Sequence, residues 1–178
     1  EGPLYAGERS RLLGGHLRAS VFGPRSSVKG EVSNTVFLGY ANKSHDGFVG
    51  HSVLGHWVNL GALTTTSNLK NTYGTVQLSS GGARLETGRQ FLGTLFGDHA
   101  KPAIGTMLST GTIVGAGANV FGDAPPPKEV PPMAWGSTGS GLTTEEGFLK
   151  VAERVLPRRE VPWTVERKAA LEQMSEDS

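Results

Sequence analysis

Two six-residue units in tandem, over residues 54–65, constrain the fold of this chain more than any other feature. They read Leu-Gly-His-Trp-Val-Asn and Leu-Gly-Ala-Leu-Thr-Thr, each with an aliphatic residue first and a glycine second. So short a period is typical of a parallel β-helix, in which each unit forms one flat side of a coil and the aliphatic residue points into the core. The glycine is expected near a corner, where a positive φ or a close approach of two backbones is needed.

Further units of the same form flank this pair. They are Phe22–Ser27 and Val28–Ser33 before it, and Phe96–Lys101, Leu108–Ile113 and Val114–Asn119 after it, with a looser unit at Pro102–Met107. Because three units close one triangular coil, these blocks predict a solenoid of several coils, each of which is buried only against its neighbours.

The six-residue frame is interrupted at two places. Val28 and Leu54 are 26 residues apart, two more than a multiple of six, and we place the slip within the polar segment 39–51. Such an irregularity either re-aims a side chain toward a functional site or only adds two residues to a corner. The second interruption, 66–89, is predicted to be a protruding loop or hairpin, which is either a binding loop or a tolerated insertion.

The chain is predicted to form one domain with appendages. Its parts are an N-terminal lead-in at 1–20, a β-helix at 21–122, a Pro/Gly-rich exit segment at 123–142 and C-terminal helices at 143–178. Thr143 and Glu146 form a capping pattern for the first helix, and the second helix is predicted over about 165–174. We expect these helices, with Trp135 or Trp163, to cap the open end of the solenoid or to pack on a neighbouring subunit.

Composition narrows the function classes. The net charge of +1 gives no electrostatic reason to expect nucleic acid. The absence of cysteine excludes disulfides, thiolate catalysis and cysteine-bound zinc. No apolar run approaches the ~18 residues that span a membrane, and no signal peptide is visible. We therefore expect a cytoplasmic protein without membrane or nucleic-acid partners. A chain that begins at Glu1 without Met is expected to be a piece of a longer protein.

His45, followed by Asp46 in the predicted slip, is the leading candidate for chemistry. A neutral imidazole accepts protons near pH 7, although a surface histidine at a corner explains the position equally well. His99 is the next candidate. Lysine and arginine bind phosphate, and asparagine hydrogen-bonds sugar hydroxyls. The polar candidates are therefore Lys43, Lys70, Arg25, Lys101, Asn59 and Asn68. For each of them the alternative is a solvated surface residue or a corner residue.

A histidine-bound metal is not expected. His51 and His56 are five residues apart, an interval similar to one in the γ-class carbonic anhydrases. A zinc site of that kind needs three imidazoles, and the other motif residues of that family are not found here.

Several runs outside the bare repeat resemble a known family. They are Gly30–Asn34, Gly39–Gly50, Trp57–Ala62, Ser67–Asn71, Gly97–Lys101 and Thr110–Gly122, with Pro127–Lys128 and Trp135–Gly136. Over roughly residues 20–136 the chain resembles the left-handed β-helix region of bacterial and archaeal sugar-phosphate nucleotidyltransferases. The resemblance is closest to a divergent form of the bifunctional N-acetylglucosamine-1-phosphate uridyltransferase/glucosamine-1-phosphate acetyltransferases. It implies an all-β, left-handed parallel β-helix with a C-terminal helical extension. It also implies a homotrimer with sites between chains and a preceding nucleotidyltransferase domain absent from this chain.

The same resemblance implies a reaction and its residues. The family transfers acetyl from acetyl-CoA to the amine of glucosamine-1-phosphate, in UDP-N-acetylglucosamine biosynthesis, and its β-helix domain requires no metal. His45 is then the general base and Asn68 a second catalytic-site residue. The implied substrate contacts are Lys43, Asn59, Lys70 and Glu31, and the implied CoA contacts are Ala62, Ile104, Gly105 and Gly122.

Two positions depart from the better-studied members of the family. Phe48 stands where those members have tyrosine, and Ser33 stands where they have a basic residue for the sugar phosphate. We expect Lys43 or Arg25 to compensate for the missing charge. The departures leave open another amino sugar phosphate as acceptor. They also leave open a catalytically inactive trimerisation or regulatory module of a sugar-phosphate nucleotidyltransferase.

Overall fold

The computed structural model describes residues 1–137 and 141–176 of the chain, and short strands make up most of it. Before the protruding loop they are β1 (Leu4–Ala6), β2 (Arg11–Arg18), β3 (Ser20–Phe22), β4 (Ser27–Ser33), β5 (Val36–Phe37), β6 (Asn42–Lys43), β7 (Phe48–Gly50), β8 (Val53–Leu54) and β9 (Thr65–Thr66). The loop holds β10 (Gln77–Ser80) and β11 (Ala83–Glu86). After it come β12 (Leu95–Phe96), β13 (Lys101–Pro102), β14 (Met107–Leu108), β15 (Ile113–Val114), β16 (Asn119–Val120), β17 (Glu129–Val130), β18 (Ala134–Trp135) and β19 (Gly141–Leu142).

Parallel pairing between successive coils builds three faces. The first face is a seven-stranded sheet in the order β1-β3-β5-β8-β12-β15-β17. The second face contains the N-terminal halves of β2 and β4 with β6, followed further along by β13, β16 and β18. The third face contains the C-terminal halves of β2 and β4 with β7, and then β9 with β14. The parallel β-helix predicted from the repeat is therefore confirmed.

Apolar residues stacked in columns fill the interior of the coils. The first-face column consists of Phe22, Phe37, Leu54, Phe96, Val114 and Val130, each at most 4% exposed. Burial of one such side chain contributes about 1.5–3 kcal/mol, and each coil gains it only when the next coil covers its edge. Leu60 is also buried, on the second face. The first residues of both tandem units thus point inward, as predicted.

The glycines that follow Leu54 and Leu60 are explained by close packing of coils. Neither Gly55 nor Gly61 has a positive φ. A Cβ on Gly55 would lie 2.4 Å from the Oδ1 of Asp98, and one on Gly61 would lie 2.5 Å from the backbone nitrogen of Ile104. Of the two reasons expected from the sequence, the close approach of the next coil is the one that applies here.

The frame does not slip within segment 39–51, so that prediction is wrong. Phe37, Lys43 and Val49 are six residues apart in turn, and all three are buried inward positions. Lys43 pairs in register with Val28 of the preceding coil, as the inward position of the second face requires. A lysine among aliphatic residues breaks the sequence pattern without breaking the coil.

Three shortened steps around the segment produce the irregular spacing instead. Val28 and Val32 are inward residues of consecutive faces only four positions apart, and the steps from Val32 to Phe37 and from Val49 to Leu54 are five each. Gly30 turns the first of these corners with a φ of 91°, a conformation that a side chain disfavours. The chain therefore omits corner residues next to the polar segment, while the segment itself keeps the regular spacing.

The coils extend on both sides of the predicted 21–122 β-helix. β1 pairs with β3 at the start, while β17 pairs with β15 and β18 with β16 beyond the proline-rich run. Val130 and Ala134 fill the core there, at 1% and 0% exposure. Ten residues separate Val120 from Val130, so a six-residue frame could not identify this last coil.

The insertion predicted at 66–89 is present as a loop carrying an antiparallel hairpin. β10 and β11 pair from Gln77 with Glu86 to Ser80 with Ala83. Val76 is fully buried, and a Cβ on Gly111 would lie 2.6 Å from its Cγ1. The base of the loop is therefore packed against the coil.

Two helices follow the solenoid, as predicted. They are α1 (Glu145–Val155) and α2 (Val165–Glu176), joined through a 3-10 turn at Leu156–Arg159. The hydroxyl of Thr144 accepts a 3.1 Å hydrogen bond from the backbone N–H of Gly147, so the N-cap of α1 is Thr144, one residue beyond the predicted cap at Thr143. Within the described residues no helix has the length and apolarity needed to cross a bilayer.

The helical extension lies along the side of its own solenoid and not over the open end. The ring of Phe148 in α1 meets that of His99 edge to face, with centroids 5.4 Å apart. Further along, Nη1 of Arg25 donates a 2.6 Å hydrogen bond to the carbonyl of Arg159. These contacts run from the later coils back to an early one. Trp163 packs in the apolar cluster beneath the helices, whereas Trp135 meets Phe121 instead.

Candidate functional site

The corners that join the second face to the third form a continuous row along one edge of the solenoid. We call the segments 44–47, 61–64, 103–106 and 121–122 the corner row. Backbone hydrogen bonds connect its members directly, from the N–H of Leu63 to the carbonyl of Asp46 at 2.9 Å and from the N–H of Gly105 to the carbonyl of Ala62 at 2.8 Å. Parallel stacking thus aligns His45 with the residues predicted to contact CoA.

Lys43 supports the corner row from inside the coil. Its side chain is 2% exposed, and its Nζ donates hydrogen bonds to the carbonyls of Lys29, at 2.9 Å, and His45, at 2.7 Å. Burial lowers the pKa of Lys43 to about 8, against the opposing effect of Asp46. In this structure the ammonium group of Lys43 is engaged with the backbone and faces the interior of the coil, not the surface where a phosphate would bind.

His45 is exposed at the first corner of the row, and its neighbour Asp46 is engaged elsewhere. Oδ1 of Asp46 lies 3.4 Å from Nζ of Lys29, across the corner. The imidazole of His45 is therefore presented to solvent from a corner whose backbone is fixed by Lys43. His99, the second histidine candidate, is 3% exposed, and burial lowers its pKa to about 3. A neutral imidazole sealed between packed rings has no access to a substrate, so the structure contradicts His99 as a base.

The C-terminal halves of β2 and β4 on the third face line a groove of about 440 Å³, which we call the third-face groove. Glu31 and Ser33, two positions singled out in the sequence, both line it, together with Arg18. Arg18 pairs in register with Ser33, and Glu31 pairs with Phe48. An arginine therefore stands one coil away from the serine that replaces the family's basic residue.

Asn68 belongs to a polar and aromatic cluster at the far edge of this third face. Its Nδ2 lies 2.8 Å from Nδ1 of His51, and the ring of His51 stacks on that of Phe91. Gly50 leaves room for this arrangement, because a Cβ there would lie 2.3 Å from the ring of Phe48 and 2.8 Å from the Asn68 amide. Burial, assisted by Arg18, lowers the pKa of His51. Within one chain, Asn68 and His45 occupy opposite edges of the third face.

Two other side chains predicted to contact the substrate, Lys70 and Arg25, are hydrogen-bonded to other parts of the protein. Nζ of Lys70 donates to the carbonyl of Thr75 within the protruding loop. Arg25, expected to compensate for Ser33, bonds to the C-terminal extension through Arg159 and Glu160. Neither group lines the third-face groove, whereas Arg18 lines it beside Ser33.

Asn59 lies on the second face, apart from His45 and Asn68. Its Oδ1 accepts a 2.9 Å hydrogen bond from Nδ2 of Asn42. Both amides line a cleft of about 460 Å³ between the second face and the C-terminal helices, which we call the helix cleft. Lys101 lines it too, with its Nζ bonded to the carbonyl of His99 at 2.6 Å and its pKa lowered to about 8 by burial.

The residues predicted for CoA are brought together. Ile104, Gly105 and Gly122 line one groove of about 130 Å³, and Ala62 adjoins it through its hydrogen bond to Gly105. Exposed apolar side chains accompany them along the row, with Ile104 79% and Leu63 62% exposed. This edge therefore offers both backbone polar groups and apolar surface to an elongated ligand.

Sequence reasoning missed Arg18, His51 and the arginines of the C-terminal extension as site residues. Arg18 and Ser33 become neighbours only through the register of two coils. The interval between His51 and Asn68 likewise carries no motif. Among the described residues, no three acidic or histidine side chains are grouped in a way that could hold a metal ion.

Part of the chain is similar in sequence to a known protein. No protein-family model matches the chain. Over 91 residues, 51% of the chain, it is 32% identical to a bifunctional sugar-1-phosphate nucleotidylyltransferase/acetyltransferase from Sulfurisphaera tokodaii. The match spans 23% of that protein's length. The resemblance inferred from the sequence is thereby supported at this level: the chain is a parallel β-solenoid similar in sequence to one part of a bifunctional sugar-1-phosphate nucleotidylyltransferase/acetyltransferase.

Proposed function

We propose that this domain transfers acetyl from acetyl-CoA to the amine of an amino sugar phosphate, with glucosamine-1-phosphate as the first acceptor to test. The observation that carries the proposal is the corner row, which aligns His45 with Ala62, Gly105 and Gly122. The name of the relative, which includes acetyltransferase, supports the same reaction class.

His45 is the general base in this proposal. It takes a proton from the acceptor's ammonium group, so that the free amine attacks the thioester carbonyl. Collapse of the tetrahedral intermediate breaks the C–S bond and forms the amide. The attacking nitrogen loses its second proton, and the departing CoA thiolate takes up a proton in exchange. A positioned base of this kind contributes about 10²–10⁴ in rate, and holding both substrates in one groove contributes the rest through orientation. The hydrogen bond from Lys43 fixes the backbone from which the imidazole projects.

The acceptor is proposed to bind in the groove of the third face. Arg18 supplies the charge for the phosphate, a task suited to a guanidinium that engages two oxygens at once. Glu31 accepts hydrogen bonds from sugar hydroxyls or from the ammonium group. The two side chains share one groove, and Phe48 continues it toward His45.

Acetyl-CoA is proposed to lie along the corner row. Backbone groups of Ala62 and Gly105 take up the polar atoms of the pantetheine arm, and Leu63 and Ile104 offer it apolar surface. Because His45 and Asn68 lie at opposite edges of one face, we propose that Asn68 acts at a site completed by a neighbouring chain of a homotrimer. We also propose that a nucleotidyltransferase domain accompanies this domain, as the name of the bifunctional relative implies. In the same proposal the protein is cytoplasmic and acts in UDP-N-acetylglucosamine synthesis.

A thiol-release assay with acetyl-CoA tests the proposal across glucosamine-1-phosphate, galactosamine-1-phosphate, glucosamine-6-phosphate and unphosphorylated glucosamine. We expect release of CoA with a sugar-1-phosphate and little with glucosamine, because Arg18 has no phosphate to bind there. Failure of every acceptor, together with no heat of acetyl-CoA binding, would overturn the proposal. That result would favour an inactive trimerisation or regulatory module.

A further inference from the structure

The helix cleft carries positive charge that the protein does not neutralise. Lys101 from the second face and Arg154, Arg158 and Arg159 from the C-terminal extension line it, and none of the described residues that line it is acidic. Within the described part of the chain, Arg154 and Arg158 form no ion pair. The acidic Glu160 that follows them bonds instead to Arg9 and Arg25. Four cations converge on one cleft because the extension folds back along the solenoid.

Arg159 brings to the cleft a donor that no described residue accepts. Its Nη2 lies 3.4 Å from Oδ1 of Asn42, at the limit of a hydrogen bond, and its Nε is buried without a partner in the described structure. A buried donor of a charged group that finds no acceptor is costly, so such groups are normally paired with protein or ligand oxygens. The polar wall of the cleft is therefore arranged to donate hydrogen bonds to an anion.

An aromatic wall completes the cleft. The rings of Tyr40 and Trp57 are stacked, with centroids 4.4 Å apart and planes inclined by 13°. Val151 and Val155 of α1 face them across the cleft, so an apolar slot adjoins the cationic end. A volume of about 460 Å³ is within the range of small-molecule sites. Flat rings beside a cluster of cations suit a ligand that has both a base and phosphates.

We propose that the helix cleft binds a nucleoside carrying two or more phosphates. The phosphates lie against Arg154, Arg158, Arg159 and Lys101. The base lies against the ring of Tyr40 and the edge of Trp57, because the two faces of Trp57 are covered by Tyr40 and His99. Asn42 and Asn59 hydrogen-bond the ribose, which gives Asn59 a ligand other than the acceptor sugar. Two ligands carry such a phosphorylated nucleoside: CoA, through its adenosine end, and a separate nucleotide. The proposal does not depend on acetyl transfer at His45.

Calorimetry on the full chain tests this assignment with four probes: ADP, UDP, pyrophosphate and acetyl-CoA. We expect a nucleoside diphosphate to bind more tightly than pyrophosphate, because only the former has a base for the aromatic wall. The double variant R154Q/R158Q should weaken nucleoside diphosphate binding by at least about tenfold. The fold should persist, because both side chains are exposed and neither forms an ion pair in the described part of the chain. Lys150→Gln is the matched control, since Lys150 is an exposed cation of the same helix that pairs with Glu146 outside the cleft.

Competition identifies the source. If saturating acetyl-CoA displaces ADP, the cleft holds the adenosine end of CoA, and if both bind together, the cleft is a separate nucleotide site. Either result supports the assignment. It is overturned if none of the four probes binds below about 1 mM, or if the double variant binds as tightly as K150Q. His45→Ala separates this assignment from the proposed acetyl transfer, because it should leave ADP binding unchanged.

Discussion

The ammonium group of Lys43 donates a 2.7 Å hydrogen bond to the backbone carbonyl of His45, so an inward-pointing residue holds the corner that carries the proposed base. The same group bonds to the carbonyl of Lys29 in the preceding coil. Aliphatic side chains occupy the matching inward positions of other coils, at Val28 and Leu60. A charged group at this position stabilises the core less than a buried aliphatic group would. Its hydrogen bonds instead fix the conformation of the corner.

Replacing Lys43 by methionine should change how stability depends on pH. Burial lowers the pKa of Lys43 to about 8 from 10.5, so between these values the unfolded chain binds more protons than the folded chain. The contribution of Lys43 to the free energy of unfolding therefore rises with pH across this window, by up to about 1.4 kcal/mol per pH unit, and is lost as pH falls through 8. Urea unfolding from pH 7 to 10.5 should show a smaller rise for K43M.

Lys150→Met is the control, because Lys150 is an exposed cation on the surface of α1. It should leave the pH dependence of unfolding as it is in the parent chain. K43M should also lower kcat for acetyl transfer, with little effect on the KM for acetyl-CoA, because the corner that presents His45 loses its support. Unchanged pH dependence in K43M would contradict the assignment of Lys43 as a buried, titrating cation.

Arg18→Gln should raise the KM for the sugar phosphate. The guanidinium stands beside Ser33 in the third-face groove, and loss of one charge-assisted contact to phosphate costs about 1.5–3 kcal/mol, or about 10- to 150-fold in affinity. The KM for acetyl-CoA should change little. Arg84→Gln, an exposed cation on the hairpin, is the matched control. Equal KM values for R18Q and R84Q would show that the phosphate binds elsewhere.

His99→Phe should make the free energy of unfolding less sensitive to acid. The folded pKa of His99 is lowered to about 3 from 6.5, mainly by burial, so the unfolded chain takes up a proton that the folded chain does not. The stabilisation is complete above pH 6.5 and is lost toward pH 3, at about 1.4 kcal/mol per pH unit. Phenylalanine retains the contacts with Trp57 and Phe148. Between pH 7 and 4 the free energy of unfolding of H99F should change less than that of the parent chain. It should also change less than that of His16→Phe, a variant at an exposed histidine.

Leu60→Ala should destabilise the solenoid by about 2–5 kcal/mol, because Leu60 is 1% exposed in the inward column of the second face. Leu63→Ala, three residues away, removes the same atoms from a side chain that is 62% exposed. Its effect on the free energy of unfolding should stay within about 0.5 kcal/mol. Similar losses in the two variants would contradict the inward frame of the tandem units.

The solenoid was predictable because its core selects aliphatic residues at a fixed interval, which Leu54 and Leu60 display. The inward position of Lys43 was not predictable, because in the sequence a polar residue that points inward looks the same as a polar residue at a surface corner. The last coil escaped prediction because ten residues separate Val120 from Val130. In each of these cases the deciding contact is made between coils and not along the chain.

The candidate site was only partly predictable for the same reason. A motif identified His45, and stacking of corners then placed it in line with Ala62 and Gly105. Arg18 was missed because it reaches Ser33 through coil register. The helix cleft depends on the extension folding back to Arg25, a long-range contact that no local pattern specifies.

The central claim, that His45 is the base for acetyl transfer along the corner row, is tested most directly by His45→Gln. The measurement is the rate of CoA release from acetyl-CoA with glucosamine-1-phosphate, combined with calorimetric binding of acetyl-CoA. We predict a fall in kcat of about 10²–10⁴-fold with acetyl-CoA affinity unchanged, because glutamine keeps the size of the side chain without its basic nitrogen. A variant that retains the parent rate would contradict the claim.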